Sequence, residues 1–307
     1  MIFDIKNIRL VLTNIYYLLR CNIKEAIIEQ RQMATFSSIL SLSGVNAEFK
    51  DQYEKEINKL KKTGKFTIYP SQTITQTKVE SGYDAGQKMN FIVHKNKRLY
   101  FPSCYDKKQA IKKYYEIADC DKILSCNNPG TPHQYQSEKY SLKEGDVLID
   151  IGCAEALFAL DNIHLISQAI LVEKDRDWIK ALKATFAPYR EKVVIINKYI
   201  SDKDSSSSVT LETLLKNLPQ CTFIKMDIEG NEVKVLESSK SFLSGRDNIV
   251  ISCCTYHNNE DGALIEKIYE EIDYKYEYSS GYMLFARYDT PTYPFFRHGV
   301  IRARKKS

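Results

Sequence analysis

The chain has 307 residues, 43% of them hydrophobic and 27% charged, with a formal net charge of +5. The length suits one large domain with an accessory part, or two domains. The balance is ordinary for a soluble globular protein. The positive charge is uneven. It sits in the first 140 residues and again at Arg297, Arg302, Arg304, Lys305 and Lys306, leaving an acidic body between them. A basic arm and tail suit an anionic surface such as a phosphate-bearing glycolipid or nucleic acid, or are simply a solvated basic surface. No basic-aromatic RNA-binding pattern is present, which argues against nucleic acid. The 21 tyrosines read as half-buried residues with wet hydroxyls, or as a stacking surface for sugars or bases.

Cys21, Cys104, Cys120, Cys126, Cys153, Cys221, Cys253 and Cys254 form no C-x-x-C pair and no zinc-spaced cluster. Several fall inside apolar runs as small hydrophobes, a reducing inventory that points to the cytoplasm. Asp4, Lys6, Arg9 and Arg20 interrupt the apolar N-terminal stretch. It therefore reads neither as a signal peptide nor as a membrane span. Its stripe of Ile8, Leu10, Leu12, Ile15, Tyr16, Leu18 and Leu19 suits a packing or homo-oligomer helix, or a helix lying on a membrane surface.

In chain order, residues 1–62 read as helical. Phe49, Tyr53, Ile57 and Leu60 lie at helical spacing, and Gly64 stops the run. A short extended piece follows at Phe66 to Pro70. Phe91 to His94 and Arg98 to Phe101 read as a hairpin, and Lys107 to Ala118 as a helix. Cys126 to Pro132 is turn chemistry. From about residue 140, short apolar runs alternate with helical patterns. The expected strands are Asp146–Ile151, Ala169–Glu173, Lys192–Asn197, Cys221–Asp227 and Asn248–Cys254. The expected helices are Glu155–Ile166, Trp178–Phe186, Leu211–Leu218, Glu232–Phe242 and Ala263–Ile272. Tyr274–Tyr278 and Tyr282–Ala286 read as a closing hairpin around Ser279, Ser280 and Gly281. This alternation implies an α/β fold: a doubly wound, seven-stranded, mostly parallel sheet behind an N-terminal α+β extension. The expected division is an accessory region at 1–139, the sheet domain at 140–290 and a basic tail at 291–307.

The first strand of that sheet runs into Asp150-Ile151-Gly152 and a helix. Ligands of open α/β sheets bind beyond the carboxyl ends of the strands, where this turn falls. Gly152 allows close backbone approach, and a helix N-terminus suits an anionic group. Glu173 ends the next strand about 20 positions on, the spacing of an acidic residue that accepts from a ribose diol. A nicotinamide fingerprint would need G-x-G-x-x-G, but Ala154 and Leu157 occupy its other glycine positions. Asp227 and Glu229 sit at the carboxyl edge of the fourth strand. Asp227 suits proton removal from a hydroxyl, or capping of the next helix. His257, beyond the fifth strand, is a candidate base or a packed loop histidine. A metal bridging Asp227 and His257 would have only two visible ligands, so no metal site is expected. His133-Gln134-Tyr135 suits either a lid or a packed linker.

The segments Val147 to Gly152, Leu171 to Asp175, Tyr199 to Lys203 and Phe223 to Glu232, with Val209 to Leu215 ahead of the last, resemble the FkbM family of methyltransferases. Lys225, Asp227, Glu229, Gly230 and Glu232 match its Lys-x-Asp-x-Glu-Gly-x-Glu stretch. The resemblance spans about residues 140–290. It implies S-adenosylmethionine as cofactor and a hydroxyl of a carbohydrate or related small molecule as acceptor. On this reading the cofactor contacts are Asp150, Gly152, Ala154, Glu155, Glu173, Lys174, Ser201, Asp202 and Asp227, and the catalytic residues are Asp227, His257 and Glu229. Ala154 and Ala156 stand where such loops often carry glycine, at a cost in φ freedom. A cofactor-binding module without catalysis is the second reading.

Overall fold

A computed structural model describes residues 5–68, 78–124 and 131–306, with side chains over 23–68, 78–115 and 131–306. The stripe expected at Ile8 to Leu19 and the turn at Cys126 to Gly130 lie outside the described side chains. The chain divides into two compact units.

The first unit combines the described part of Met1–Ser71 with Leu284–Phe296. It holds α1 (Ile5–Val45), α2 (Ala47–Gln52) and α3 (Glu54–Thr63). Asn46 caps α2 by accepting from Phe49 N at 2.9 Å. The helical spacing of Phe49, Tyr53, Ile57 and Leu60 gathers one buried face. Phe296 joins it from the far end of the sequence, stacked on Tyr53 at 4.5 Å between ring centroids. Among the described residues, no helix is long and apolar enough to cross a membrane.

The second unit, Gln72–Met283 with Arg297–Ser307, begins with β1 (Ser81–Asp84), β2 (Met89–His94), β3 (Lys97–Tyr100) and α4 (Lys107–Leu124). The three strands form a small antiparallel sheet. Then follow β4 (Val147–Ile151), α5 (Leu157–Asn162), β5 (Gln168–Val172), α6 (Arg176–Thr185), β6 (Val193–Ile196), β7 (Tyr199–Ile200), β8 (Ser208–Val209), α7 (Leu211–Asn217), β9 (Phe223–Met226), α8 (Glu232–Ser244), β10 (Val250–Cys254), α9 (Asp261–Glu271), β11 (Tyr274–Tyr278) and β12 (Val300–Lys305). The main sheet has seven strands in the order β11-β12-β10-β9-β4-β5-β6, with β12 antiparallel to both its neighbours. The central strands are apolar on both faces because both are covered. Val147, Ile149 and Ile151 pack into one core with Ile224 and Met226, while Leu148 faces the other with Phe223.

Three sequence expectations change here. The second arm of the closing hairpin is Val300–Lys305, not Tyr282–Ala286, whose Met283 makes only an isolated bridge to Arg297. Val300–Lys305, within the stretch 291–307 read as a basic tail, therefore forms a strand inside the sheet. Its Arg302 is 4% exposed and donates to the carbonyls of Gln134, Gln136 and Tyr278. Arg297 likewise donates to Tyr256 O and His257 O. These carbonyls offset the cost of burying two guanidinium groups. The accessory sheet also belongs to the same unit as the main sheet. His94 bonds Tyr114 at 2.9 Å and Asp161 at 2.8 Å, and Tyr100 N donates to Thr185 Oγ1 at 3.0 Å.

Candidate active site

The carboxyl ends of β4, β5 and β9 open into a cleft at the point where strand order reverses. Gly152 makes this arrangement fit. Its φ is +67°, and a Cβ there would lie 1.9 Å from the Asp227 carbonyl oxygen. The turns after β4 and β9 therefore touch backbone to backbone. Ala154 and Ala156, at φ 45° and 56°, hold left-handed geometry despite carrying a Cβ. The glycine backbone is kept without the glycine.

Glu173 is buried at the end of β5. Its two oxygens accept from Ala154 N at 2.9 Å and Asp175 N at 2.8 Å. This carboxylate thus shapes the loop after β4 and still lines the cleft. Lys174 lines it as well, with its ammonium 5.2 Å from the Tyr199 ring centroid. Trp178, Ile200 and Ile228 supply apolar wall.

Asp227 lines the cleft just past β9. Tyr135 Oη donates to its Oδ2 at 3.0 Å, and His133 Nε2 lies 3.5 Å from the same oxygen. His257 Nε2 lies 3.4 Å from Oδ1. Burial pushes the Asp227 carboxyl up, but the His133 hydrogen bond and the charges of His257 and Lys225 outweigh it and hold it well below the usual carboxylate range. His257 is 2% exposed, behind Asp227, with Nδ1 3.0 Å from Glu232 Oε1. Burial opposes its protonation, but Glu232 and Asp227 raise its pKa on balance. Burial lowers the pKa of His133 despite Asp227. Glu232, fully buried, accepts from Ile228 N and Gly230 N, each at 2.8 Å. It pins the sharp turn containing Glu229, whose φ is 58°. The residue capping α8 is Asn231, so Asp227 does not cap that helix.

Of the residues expected at the site, Gly152, Ala154, Glu173, Lys174, Asp227 and Glu229 line the cleft. Asp150 does not. It is fully buried and pairs with Lys225 Nζ at 3.0 Å. The two are register partners on adjacent strands, so their side chains share a face. Lys225 also donates to Gly152 O at 3.3 Å. Asp150 therefore supports the cleft through this pair without lining it. Glu155 lies off the cleft wall, and burial pushes its carboxyl up to about 7. Ser201 donates to Asp202 at 2.9 Å, and Asp202 pairs with Lys234 at 3.0 Å, so both serve a neighbouring turn. The helix expected from Glu155 is only Leu157–Asn162, with no side-chain cap, too short to serve as an anion site. His133 and Tyr135 prove to be site neighbours. Their closeness in sequence is the available signal. Lys225 and Glu232, noted only as parts of a motif, are the residues that fix the turns.

A seven-stranded sheet in this order, with its cleft at the switch point, is the Rossmann-like methyltransferase architecture. Residues 168–279 match the family model of the methyltransferase FkbM domain. An FkbM methyltransferase from Methylobacillus flagellatus KT shares 16% identity with it, at a TM-score of 0.44 over 65% of this chain and 55% of that one. The chain thus spans about half the length of that relative. A precorrin-6y C5,15-methyltransferase from Geobacter metallireducens GS-15 shares 15% identity, at a TM-score of 0.39 over 55% of this chain and 84% of that one. A putative tRNA (m1A22) methyltransferase from Streptococcus pneumoniae, in complex with S-adenosyl-L-methionine, shares 10% identity, at a TM-score of 0.37 over 54% and 69%. No curated protein matches the chain.

Proposed function

We propose that the chain is an S-adenosylmethionine-dependent O-methyltransferase acting on a hydroxyl of a carbohydrate or a related small molecule. The observation that carries this reading is the charge of the cleft. Glu173, Asp175, Asp227 and Glu229 line it against only Lys174 and Lys198. S-adenosylmethionine carries a sulfonium, an ammonium and one carboxylate, a net positive ligand that such a cleft attracts. Glu173, with one lone pair of each oxygen used by a backbone amide, retains others for a ribose diol. Trp178 and Ile200 provide a face for a flat base. When bound, the cofactor supplies an electrophilic methyl group.

The chain's own residues then position the acceptor. Asp227 presents a carboxylate at the cleft, with Tyr135 and His257 fixing its two oxygens. That carboxylate can accept the hydrogen bond of an incoming hydroxyl and orient its oxygen. Glu232 acts indirectly, by holding the Ile228–Gly230 turn and the His257 ring. Calorimetric titration with S-adenosylmethionine tests the reading. Wild type should bind, and Glu173→Ala should bind at least tenfold more weakly. Unchanged affinity in Glu173→Ala, or no binding by wild type, refutes it. Methyl release in the presence of hydroxylated sugars separates an enzyme from a binding module.

A further inference from the structure

Beneath the cleft, four potential ligand atoms from three separate parts of the chain converge. His133 Nε2 lies 3.2 Å from Tyr135 Oη, 3.4 Å from Cys254 Sγ and 3.5 Å from Asp227 Oδ2. Tyr135 Oη lies 3.0 Å from Asp227 Oδ2 and 3.6 Å from Cys254 Sγ. His133, Asp227 and Cys254 place their ligand atoms within 4.8 Å of one another. Metal–ligand bonds of about 2.0–2.3 Å at tetrahedral angles separate the ligands by roughly 3.3–3.6 Å. Most of the observed separations fall in or next to that range.

The groups are also chemically suited to one class of ion. An imidazole nitrogen, a thiol sulfur, a carboxylate and a phenol oxygen make a mixed N/S/O set that favours a borderline-soft divalent cation of tetrahedral preference. His133 is 6% exposed, and its Nδ1 has no hydrogen-bond partner. No partner at Nδ1 therefore sets the tautomer, and a cation at Nε2 would leave the ring proton on Nδ1. The frame is rigid. Ser252 Oγ donates to Tyr135 O at 2.7 Å, and Arg302 holds the carbonyls on either side of Tyr135. A second group, Asp227 with Glu232 and His257, also lies within reach of one ion. There, however, Glu232 Oε1 is already shared between the Ile228 amide and His257 Nδ1, and Oε2 accepts from the Gly230 amide.

We infer that His133 Nε2, Asp227 Oδ2, Cys254 Sγ and Tyr135 Oη form a binding site for one zinc-class divalent cation, which ties the segment around His133 to the ends of β9 and β10. Binding displaces the thiol proton, and the phenol proton where Tyr135 ligates, to solvent, leaving thiolate and phenolate as ligands. Metal uptake is read separately from cofactor binding, so each reading survives failure of the other.

The test is cobalt(II) titration of the full chain after chelator treatment, followed by displacement with zinc. Wild type should take up one equivalent, show a thiolate-to-cobalt charge-transfer band and lose that band when zinc is added. Cys254→Ser should lose the band, whereas Cys253→Ser and Cys104→Ser should keep it. His133→Ala should weaken uptake at least tenfold. Circular dichroism checks that each variant is folded. Where a variant is not, the wild-type titration decides alone. Absence of saturable uptake by wild type overturns the site, as does a band that persists in Cys254→Ser or disappears in Cys104→Ser.

Discussion

Replacing Ala154 and Ala156 separately by glycine should give unequal effects, although both occupy the same left-handed region. A left-handed φ costs an L-residue roughly 1–2 kcal/mol, and glycine removes that cost. Glycine in turn gives the unfolded chain about 0.4–1 kcal/mol more entropy to lose. Ala154 lines the cleft and is only part-buried, so its methyl contributes little packing. Ala154→Gly should therefore stabilise the second unit, by up to about 1.6 kcal/mol. Ala156 is 1% exposed in the core beside Leu157 and Leu160. Deleting its methyl forfeits about 0.8 kcal/mol of burial, which leaves Ala156→Gly near neutral. Trp178 is the single tryptophan and stands in the cleft wall. Its fluorescence during urea unfolding therefore reports this unit without the other. A shift in the midpoint at constant slope gives the difference directly. A loss of stability in Ala154→Gly, or equal gains in both variants, would refute the reasoning.

Gly152→Ala forces a methyl to 1.9 Å from the Asp227 carbonyl. It should cost about 3 kcal/mol and weaken S-adenosylmethionine binding by more than tenfold, measured by urea unfolding and calorimetry. Asp150→Ala leaves Lys225 charged and buried without its partner. It should destabilise by roughly 3–5 kcal/mol, and a loss below 1 kcal/mol in the same unfolding assay would contradict the pairing. Glu155 titrates at about 7 in the folded chain against an ordinary 4.5. Between those values the folded state binds more protons than the unfolded state, so this group's contribution to stability falls as pH rises from 4.5 to 7 and is flat above. Glu155→Gln should remove that decline, at most about 3 kcal/mol, so that the variant gains on wild type from pH 5 to pH 8. Parallel curves would show that Glu155 is solvated.

The parallel strands and their helices were legible because each obeys a period that burial enforces. Val147–Ile151 and Phe223–Met226 are apolar on both faces apart from the Asp150–Lys225 pair, and α6 and α8 carry one apolar stripe each. Val300–Lys305 was not legible. Its three basic side chains read as a solvated tail, and the carbonyls that satisfy Arg302 come from residues over 160 positions away and from Tyr278. Within the site, Gly152, Glu173 and Asp227 could be found because a turn or a strand end marks them. Asp150 was misplaced for a specific reason. A carboxylate at a strand end looks the same whether it faces a ligand or a lysine, and the lysine is supplied by strand register. The convergence of His133 and Cys254 on Asp227 follows from topology, which no local pattern encodes.

The contribution of Leu284–Phe296 to the first unit bears on how the chain can be dissected and on the order in which it assembles. Cutting after Ser71 would not release a free-standing sheet unit. It would leave Phe296 and its neighbours threaded between β11 and β12, stripped of Phe49 and Tyr53, as an apolar patch prone to association. A clean excision must also replace 284–296 with a polar bridge. For the same reason, the contact between Tyr53 and Phe296 closes a loop spanning most of the sequence. Because such non-local closure is slow, the first unit should complete its core only after the segment leading into β12 is in place, despite holding the first helices of the chain.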